Sequence, residues 1–241
     1  MNKELINSRF AKTLSSYNEN AKIQKRMAQR LIEFLSSKSF DSILEIGCGT
    51  GFLTKKAVEK LEFEKYKAVD IVRDCAPHIM NINPDIEFIN ADIEKEINKI
   101  EENFDLIISN AALQWTDDFE NIIKILHSKL NPGGVLLFST FGKENFREIY
   151  HVIGTTLKYY STNELNMMFS RLSPQIEEEI HIMSFSSPKE VLKHLQLTGV
   201  NAIENKAWTK KDLLKFEHGY NNLCSGRTTL TYNPIYIKIK K

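Results

Sequence analysis

Leu44-Glu45-Ile46-Gly47-Cys48-Gly49-Thr50-Gly51 joins a short apolar run, 42–46, to a stretch with helical spacing, 51–61. Three alternating glycines at such a junction let a strand turn sharply into a helix. They also leave room where side chains would collide with a ligand. A dinucleotide-binding loop would carry its third glycine at position 52, where Phe52 stands. The spacing is therefore G-x-G-x-G, preceded by the acid Glu45, and suits a ligand without a pyrophosphate. Glu45 can order the loop or meet a cationic ligand.

Working outward, short apolar runs at 66–70, 86–90, 104–109 and 135–141 read as strands. Between them, 73–81 and 118–130 read as helices, the second through Phe119, Ile122, Ile123, Leu126 and Leu130, with Pro132-Gly133-Gly134 as its stop. Apolar strands separated by helices predict an α/β domain with a mostly parallel sheet covered on both faces. Upstream, Ser16 and Glu19 form a capping-box pattern that predicts the start of a helix carrying Ile23, Met27, Leu31, Phe34 and Leu35. Beyond Gly142 the rhythm changes. Residues 143–175 read as helical and rich in Tyr, Phe and Met, and 180–185 as a strand. Ser187-Pro188-Lys189-Glu190 opens a helix that ends at Gly199, and 235–239 is a terminal antiparallel strand.

The 241 residues suit one such domain. Lys+Arg 32 against Asp+Glu 31 leaves no basic body for wholesale nucleic-acid binding. The N-terminal stretch 1–19 is polar, and no run approaches the roughly 18 apolar residues of a membrane span. A cytoplasmic protein is expected, acting neither on nucleic acid nor at a membrane. Cys48, Cys75 and Cys224 are far apart, and the six histidines stand singly, so neither a disulfide framework nor a metal site is expected. Neither a G-x-S-x-G elbow nor a phosphate-binding G-x-x-x-x-G-K is present.

Polar residues recur where the strands end. The second strand closes on Ala68-Val69-Asp70, whose carboxylate can accept both hydroxyls of a ribose. The third is followed by Asn90-Ala91-Asp92-Ile93, where Asp92 could accept an adenine amino group. The fourth ends in Ser109-Asn110. Each alone could be a turn or cap residue; with the glycine loop after the first strand, four motifs in order, at strand ends facing one crevice, point to a nucleoside ligand.

This series, L-E-I-G-C-G-T-G, V-D, A-D-I and F-D-L-I-I-S-N, resembles the class I S-adenosylmethionine (SAM)-dependent methyltransferases over about residues 40–141. The resemblance implies a Rossmann-like, doubly wound, mostly parallel sheet of seven strands in a single domain. It further implies an N-terminal helical lid at 1–40, a SAM-binding core at 41–141, a helical substrate insertion after strand five at 142–176, and C-terminal strands and helices of the sheet at 177–241. Glu45, Gly47, Cys48, Gly49 and Gly51 would surround the methionine part of SAM. Asp70 with Ile71 would hold the ribose, Asp92 with Ile93 the adenine, and Asn110 would lie near the methyl-donating end.

A narrower resemblance covers nearly the whole chain. Arg9-Phe10, Tyr17, Ala21 and Gln24 look like the opening of the malonyl-[acyl-carrier-protein] O-methyltransferases of biotin synthesis. So do Ala111-Ala112-Leu113-Gln114-Trp115, Phe138-Ser139-Thr140-Phe141-Gly142, Leu197-Thr198-Gly199-Val200-Asn201-Ala202, and Gly226-Arg227 running into Leu230-Thr231-Tyr232. Asn233 departs from the histidine expected there. The resemblance implies SAM as cofactor, with Tyr17 and Gln24 at its site, and an acyl carrier protein bearing a malonyl group as partner. Gln114, Trp115 and Tyr232 would shape the acceptor pocket. Arg227, or secondly Arg147, would pair with the acceptor carboxylate. Plainer roles are open to several: Tyr17, Trp115 and Tyr232 as core aromatics, Gln24 and Arg227 as surface residues, Cys48 as a small loop residue. The lysines of 206–215 and 238–241 read as solvated faces. A carboxylate is ionised at neutral pH, so its methylation requires no catalytic base and none is assigned. The malonyl carrier could also be coenzyme A, and two other functions fit the same residues: methylation of a small free dicarboxylic acid, and SAM binding by a non-catalytic partner protein. No N/D-P-P-Y/F tetrad, as nucleic-acid methylation would suggest, follows the fourth strand.

Overall fold

The computed structural model describes residues 2–199, 209–224 and 227–241. Two helices, α1 (Lys3–Asn20) and α2 (Lys22–Phe34), precede β1 (Ser39–Ile46) and α3 (Phe52–Lys60). Then come β2 (Glu62–Asp70), α4 (Ala76–Ile82), β3 (Glu87–Asn90), the single turn α5 (Ile93–Glu96), β4 (Phe104–Asn110), α6 (Phe119–Ser128) and β5 (Leu130–Phe141). The remainder is α7 (Arg147–Ile153), α8 (Thr162–Met168), β6 (Gln175–Glu178), β7 (His181–Phe185), α9 (Pro188–Leu197), α10 (Lys210–Cys224), β8 (Thr228–Tyr232) and β9 (Pro234–Lys240).

Seven strands form one sheet in the order β3-β2-β1-β4-β5-β9-β6. The first five are parallel, and β9 runs antiparallel to β5 and β6. Successive strand residues face opposite sides, so the continuous apolar runs serve two cores. Ile43, Leu106 and Ile108 join Met27, Leu31, Leu53 and Ile79 on one face. Leu44, Ile107 and Leu136 join Ile122, Leu126 and Phe169 on the other. Register aligns the strand ends: Ile46 lies beside Val69 and Ser109, Asp70 beside Asn90, and Asn110 beside Ser139. Strand order reverses between β1 and β4. Crevices at carboxyl ends beside such a reversal are where α/β sheets take their ligands.

Three expectations change. Ser16 does not start a helix. Its hydroxyl lies in the last turns of α1 and donates to the Thr13 carbonyl at 3.2 Å, while Asn2 supplies the cap by accepting from Leu5 N–H at 3.0 Å. A serine hydroxyl satisfies itself equally well by back-bonding inside a helix, so the pattern alone cannot place an end. The Pro132-Gly133-Gly134 segment belongs to β5, which starts at Leu130 and pairs irregularly with β4 between Phe104 and Leu106. The seventh strand is β6, which begins at the last residue of the stretch read as helical, whereas β7 leaves the main sheet and, among the described residues, pairs only with β8. As an edge strand β6 needs little apolar surface: Ile176 packs on the core, and Glu177 binds Arg30 of α2 at 2.5 Å. A full capping box at Ser161 and Glu164 starts α8, and the Ser187 hydroxyl caps α9 as expected.

Candidate active site

The glycine loop owes its shape to backbone geometry. Gly47, Gly49 and Gly51 have φ of +69°, +53° and +83°, values that side-chain-bearing residues adopt only with strain. Gly47 and Cys48 N–H donate to the Val69 carbonyl at 2.8 and 3.2 Å, clamping the loop to the end of β2. A Cβ on Gly47 would lie 2.2 Å from the Ala112 Cβ.

Two buried carboxyls stand beneath this loop. Asp70 Oδ2 accepts from Gly49 N–H and Oδ1 from Val72 N–H, both at 2.8 Å. Each oxygen keeps a lone pair for a ligand. Burial raises its pKa, and the backbone donors partly offset this. Glu45 is 1% exposed, and its Oε2 accepts from the Thr54 hydroxyl at 2.7 Å and the Tyr66 hydroxyl at 2.6 Å. Burial outweighs those donors and pushes its carboxyl up to about 7.

One cavity runs along the carboxyl edge of β1, β2 and β4. It is lined by Glu45, Gly47, Cys48, Gly49, Asp70, Ile71, Asp92, Ile93 and Asn110, and by Tyr17 and Gln24 from the N-terminal helices. The expected cofactor residues thus come together, except Gly51. That glycine faces Ile82 and Ile79 of α4, where a Cβ would lie 2.3 Å from the Ile82 side chain. Asp92 caps α5 by accepting from Glu94 N–H at 3.2 Å. Asn110 is held on both sides: Nδ2 donates to the Gln24 carbonyl at 3.0 Å, and Oδ1 accepts from the Ser139 hydroxyl at 2.8 Å. The next residue, Ala111, has φ +50°, a strained turn that brings 111–115 over the cavity.

Among the described residues, three buried side-chain oxygens on the cavity wall have no hydrogen-bond partner: Gln24 Oε1, Thr50 Oγ1 and Gln114 Oε1. An unpaired buried acceptor is costly unless a ligand donor meets it. With Glu45 and Asp70 beside them, these oxygens suit a ligand that is cationic and rich in N–H and O–H donors.

The expected acceptor residues divide. Gln114 and Trp115 line the cavity. Tyr232 is buried one layer behind it, its ring centroid 4.9 Å from that of Phe146 and its hydroxyl 2.7 Å from His194 Nε2. Arg147 is 46% exposed and lies 3.2 Å from Glu144, and Arg227 is exposed. Neither arginine is brought to the cavity wall. Val200-Asn201-Ala202, Gly226 and the start of the 206–215 lysine stretch lie outside the described residues. Asn233 takes a structural place: Oδ1 accepts from Glu144 N–H at 3.1 Å, and Nδ2 donates to Glu178 Oε1 at 2.9 Å. Sequence reasoning did not single out Lys3, Ile6, Phe146, Leu157 or Tyr159, which also line the cavity. The last three lie in 142–176, the stretch expected as a substrate insertion, whose aromatic richness pointed to Phe146 and Tyr159 but not to Leu157.

Among the described residues no helix is long and apolar enough to cross a membrane. The methyltransferase domain family matches residues 17–205. A malonyl-[acyl-carrier protein] O-methyltransferase of Chlorobium luteolum is 37% identical, the match covering 99% of this chain and 95% of that protein. The enzyme of the same name from Calditerrivibrio nitroreducens is 38% identical, covering 96% and 94%. Two solved structures share the fold. The YcgJ protein of Bacillus subtilis has a TM-score of 0.65 at 12% identity, covering 90% of this chain and 98% of its own. The N-methyltransferase NodS of Bradyrhizobium japonicum, in complex with S-adenosyl-L-homocysteine, has a TM-score of 0.53 at 15% identity, covering 91% and 86%. The glycine loop, the strand-end acids and the near-complete alignment with these relatives agree: the chain belongs to the methyltransferase-domain proteins and, among them, to the family of the malonyl-[acyl-carrier protein] O-methyltransferases.

Proposed function

We propose that this protein methylates the free carboxylate of a malonyl group carried on acyl carrier protein, with SAM as methyl donor. The observation that carries the reading is a cavity wall where Glu45, Asp70 and three oxygens without partners among the described residues would suit a cation rich in donors. SAM, when bound, supplies a methyl group on a sulfonium, already activated for displacement. Asp70 would accept the ribose hydroxyls, Asp92 and Ile93 would border the adenine, and Glu45, Gly47, Cys48 and Gly49 would surround the methionine part. Gln24 and Tyr17 would close over it from the N-terminal helices.

The acceptor is ionised at neutral pH, so no residue has to remove a proton. What the protein must do is align the carboxylate oxygen with the methyl carbon and strip water from it. Phe141, Phe146 and Leu157, which line the cavity, would make the acceptor's surroundings apolar, and Ile6, Phe10 and Tyr17 of α1 would act as a lid. Esterification cancels the carboxylate's charge, so the product can serve as an apolar primer for chain extension, the role in biotin synthesis that the resemblance implies. Acyl carrier protein is then the partner and the cytoplasm the location.

The test is mass spectrometry of products after incubation with SAM and malonyl-ACP, malonyl-CoA or free malonate, side by side. Methyl ester on malonyl-ACP at the highest rate is expected. Ester on malonate alone would replace the reading with a small-acid methyltransferase, and no ester on any acceptor would leave SAM binding without this chemistry.

A further inference from the structure

Asn145 is 1% exposed, in the turn before α7. Its amide cannot be reversed, because the backbone N–H of Asn233 donates to Oδ1 at 3.2 Å and a backbone N–H can only donate. Nδ2 is thereby committed as a donor, and it meets the Tyr159 hydroxyl oxygen at 3.0 Å. With Asn145 filling a lone pair, the Tyr159 proton must leave in another direction, and no acceptor for it stands among the described residues. Tyr159 lines the cavity together with Phe141, whose ring centroid lies 6.5 Å from its own, and with Phe146 and Leu157, whereas Asn145 is not on the wall. Burial holds the Tyr159 hydroxyl protonated well beyond neutral pH. A relay of fixed polarity, from Asn233 through Asn145 to Tyr159, thus leaves one O–H donor uncommitted among the described residues, on a residue of the cavity wall.

Cations are scarce there. Among the described residues no arginine lines the cavity. Lys3 is the one lysine that does, and it is spent on Glu94 at 2.6 Å and the Trp115 carbonyl at 2.8 Å. The neighbouring Thr198 hydroxyl donates to the His194 carbonyl at 2.9 Å. We propose that Tyr159, aimed by Asn145, donates the hydrogen bond that holds the non-reacting oxygen of the acceptor carboxylate, so that the acid is recognised by a neutral hydroxyl and not by an arginine. This rests on the carboxylate methylation proposed above. A neutral donor suits that reaction: methyl transfer cancels the acceptor's charge, so a guanidinium would bind the starting carboxylate more tightly than the transition state and slow the step. The same bond weakens once the acid is an ester, which favours product release.

The test is steady-state kinetics of the full chain with malonyl-ACP, alongside calorimetry with SAM. Tyr159→Phe should lower kcat/KM for malonyl-ACP about 10- to 100-fold while SAM affinity stays within about twofold. Inhibition by the methyl-ester product should change far less than binding of the acid. Asn145→Asp keeps the contact with Asn233 N–H and keeps a hydrogen bond to Tyr159, but reverses its direction. A carboxylate can only accept, so the Tyr159 proton turns away from the cavity, and the loss should equal or exceed that of Tyr159→Phe. If Tyr159 merely packs, Tyr159→Phe retains kcat/KM within about twofold, and that result overturns the proposal whatever Asn145→Asp does. Should Asn145→Asp fail to fold, Tyr159→Phe decides alone. If the wild type methylates malonate and not malonyl-ACP, the carrier-protein reading falls while the variants still test the tyrosine on malonate. If it methylates no carboxylate, both readings fall together.

Discussion

The two halves of the cavity are built differently. The cofactor half, from β1 to β4, is made by backbone: three glycines with positive φ, and a carboxylate pinned by the N–H groups of Gly49 and Val72. The half that we assign to the acceptor is backed by side chains that reach across long stretches of chain. Glu148 Oε2 accepts from Thr231 N–H at 2.9 Å and its Oε1 from the Thr231 hydroxyl at 2.7 Å, tying α7 to β8 across 83 positions. Asn233 joins the turn before α7 to the end of β6. A ligand site set by local backbone can be recognised from a short motif. One set by distant polar latches cannot, and its pocket can change while the cofactor loop stays as it is.

The largest expected effect tests the backbone side. Gly47→Ala places a Cβ 2.2 Å from the Ala112 Cβ at φ +69°. It should cost about 3 kcal/mol or more in unfolding free energy and abolish SAM binding. Denaturant unfolding and calorimetry read both, and a folded variant with normal affinity would erase the contrast between the halves.

Next is a latch of the acceptor half. Glu148→Ala leaves the Thr231 N–H and hydroxyl without their buried acceptor and should destabilise by about 2 kcal/mol. SAM affinity should hold while turnover of malonyl-ACP falls. Loss of SAM affinity in a folded protein would mean that the halves are not separable.

Glu45 sharpens the comparison through pH. Burial lifts its carboxyl from 4.5 to about 7, so the folded protein keeps a proton that the unfolded chain has released across that interval. The stability due to this proton is complete below about 4.5, declines as pH rises, and is gone above about 7. Glu45→Gln does not titrate. Relative to the ligand-free wild type it should therefore gain up to about 3 kcal/mol between about pH 5 and pH 8. Parallel pH profiles would show that Glu45 ionises freely in the fold.

The smallest effect concerns the arginines. Arg147 forms an exposed ion pair with Glu144 at 3.2 Å, a kind of contact worth about 0–1 kcal/mol, and Arg227 is exposed. Arg147→Ala and Arg227→Ala should each leave turnover of malonyl-ACP within about twofold at fixed salt. A large loss in either, with SAM affinity kept, would return the carboxylate to a guanidinium and displace Tyr159.

The amino-acid sequence by itself determined the α/β class, the parallel core, the glycine loop and the acids Glu45, Asp70 and Asp92 at its mouth. Those features follow from constraints that act within a few residues: glycine where φ must be positive, apolar runs where a strand is covered on both faces, a polar residue where a strand ends. Only the tertiary structure decided that β6 and not β7 completes the sheet, that Tyr232 stands behind the wall, and that Tyr159 stands on it. An edge strand needs a single apolar residue, and a pocket residue is chosen by which side chains converge from opposite ends of the chain. The direction of Tyr159's proton depends on a bond between residues 88 positions apart, Asn233 and Asn145, and local pattern carries no trace of it.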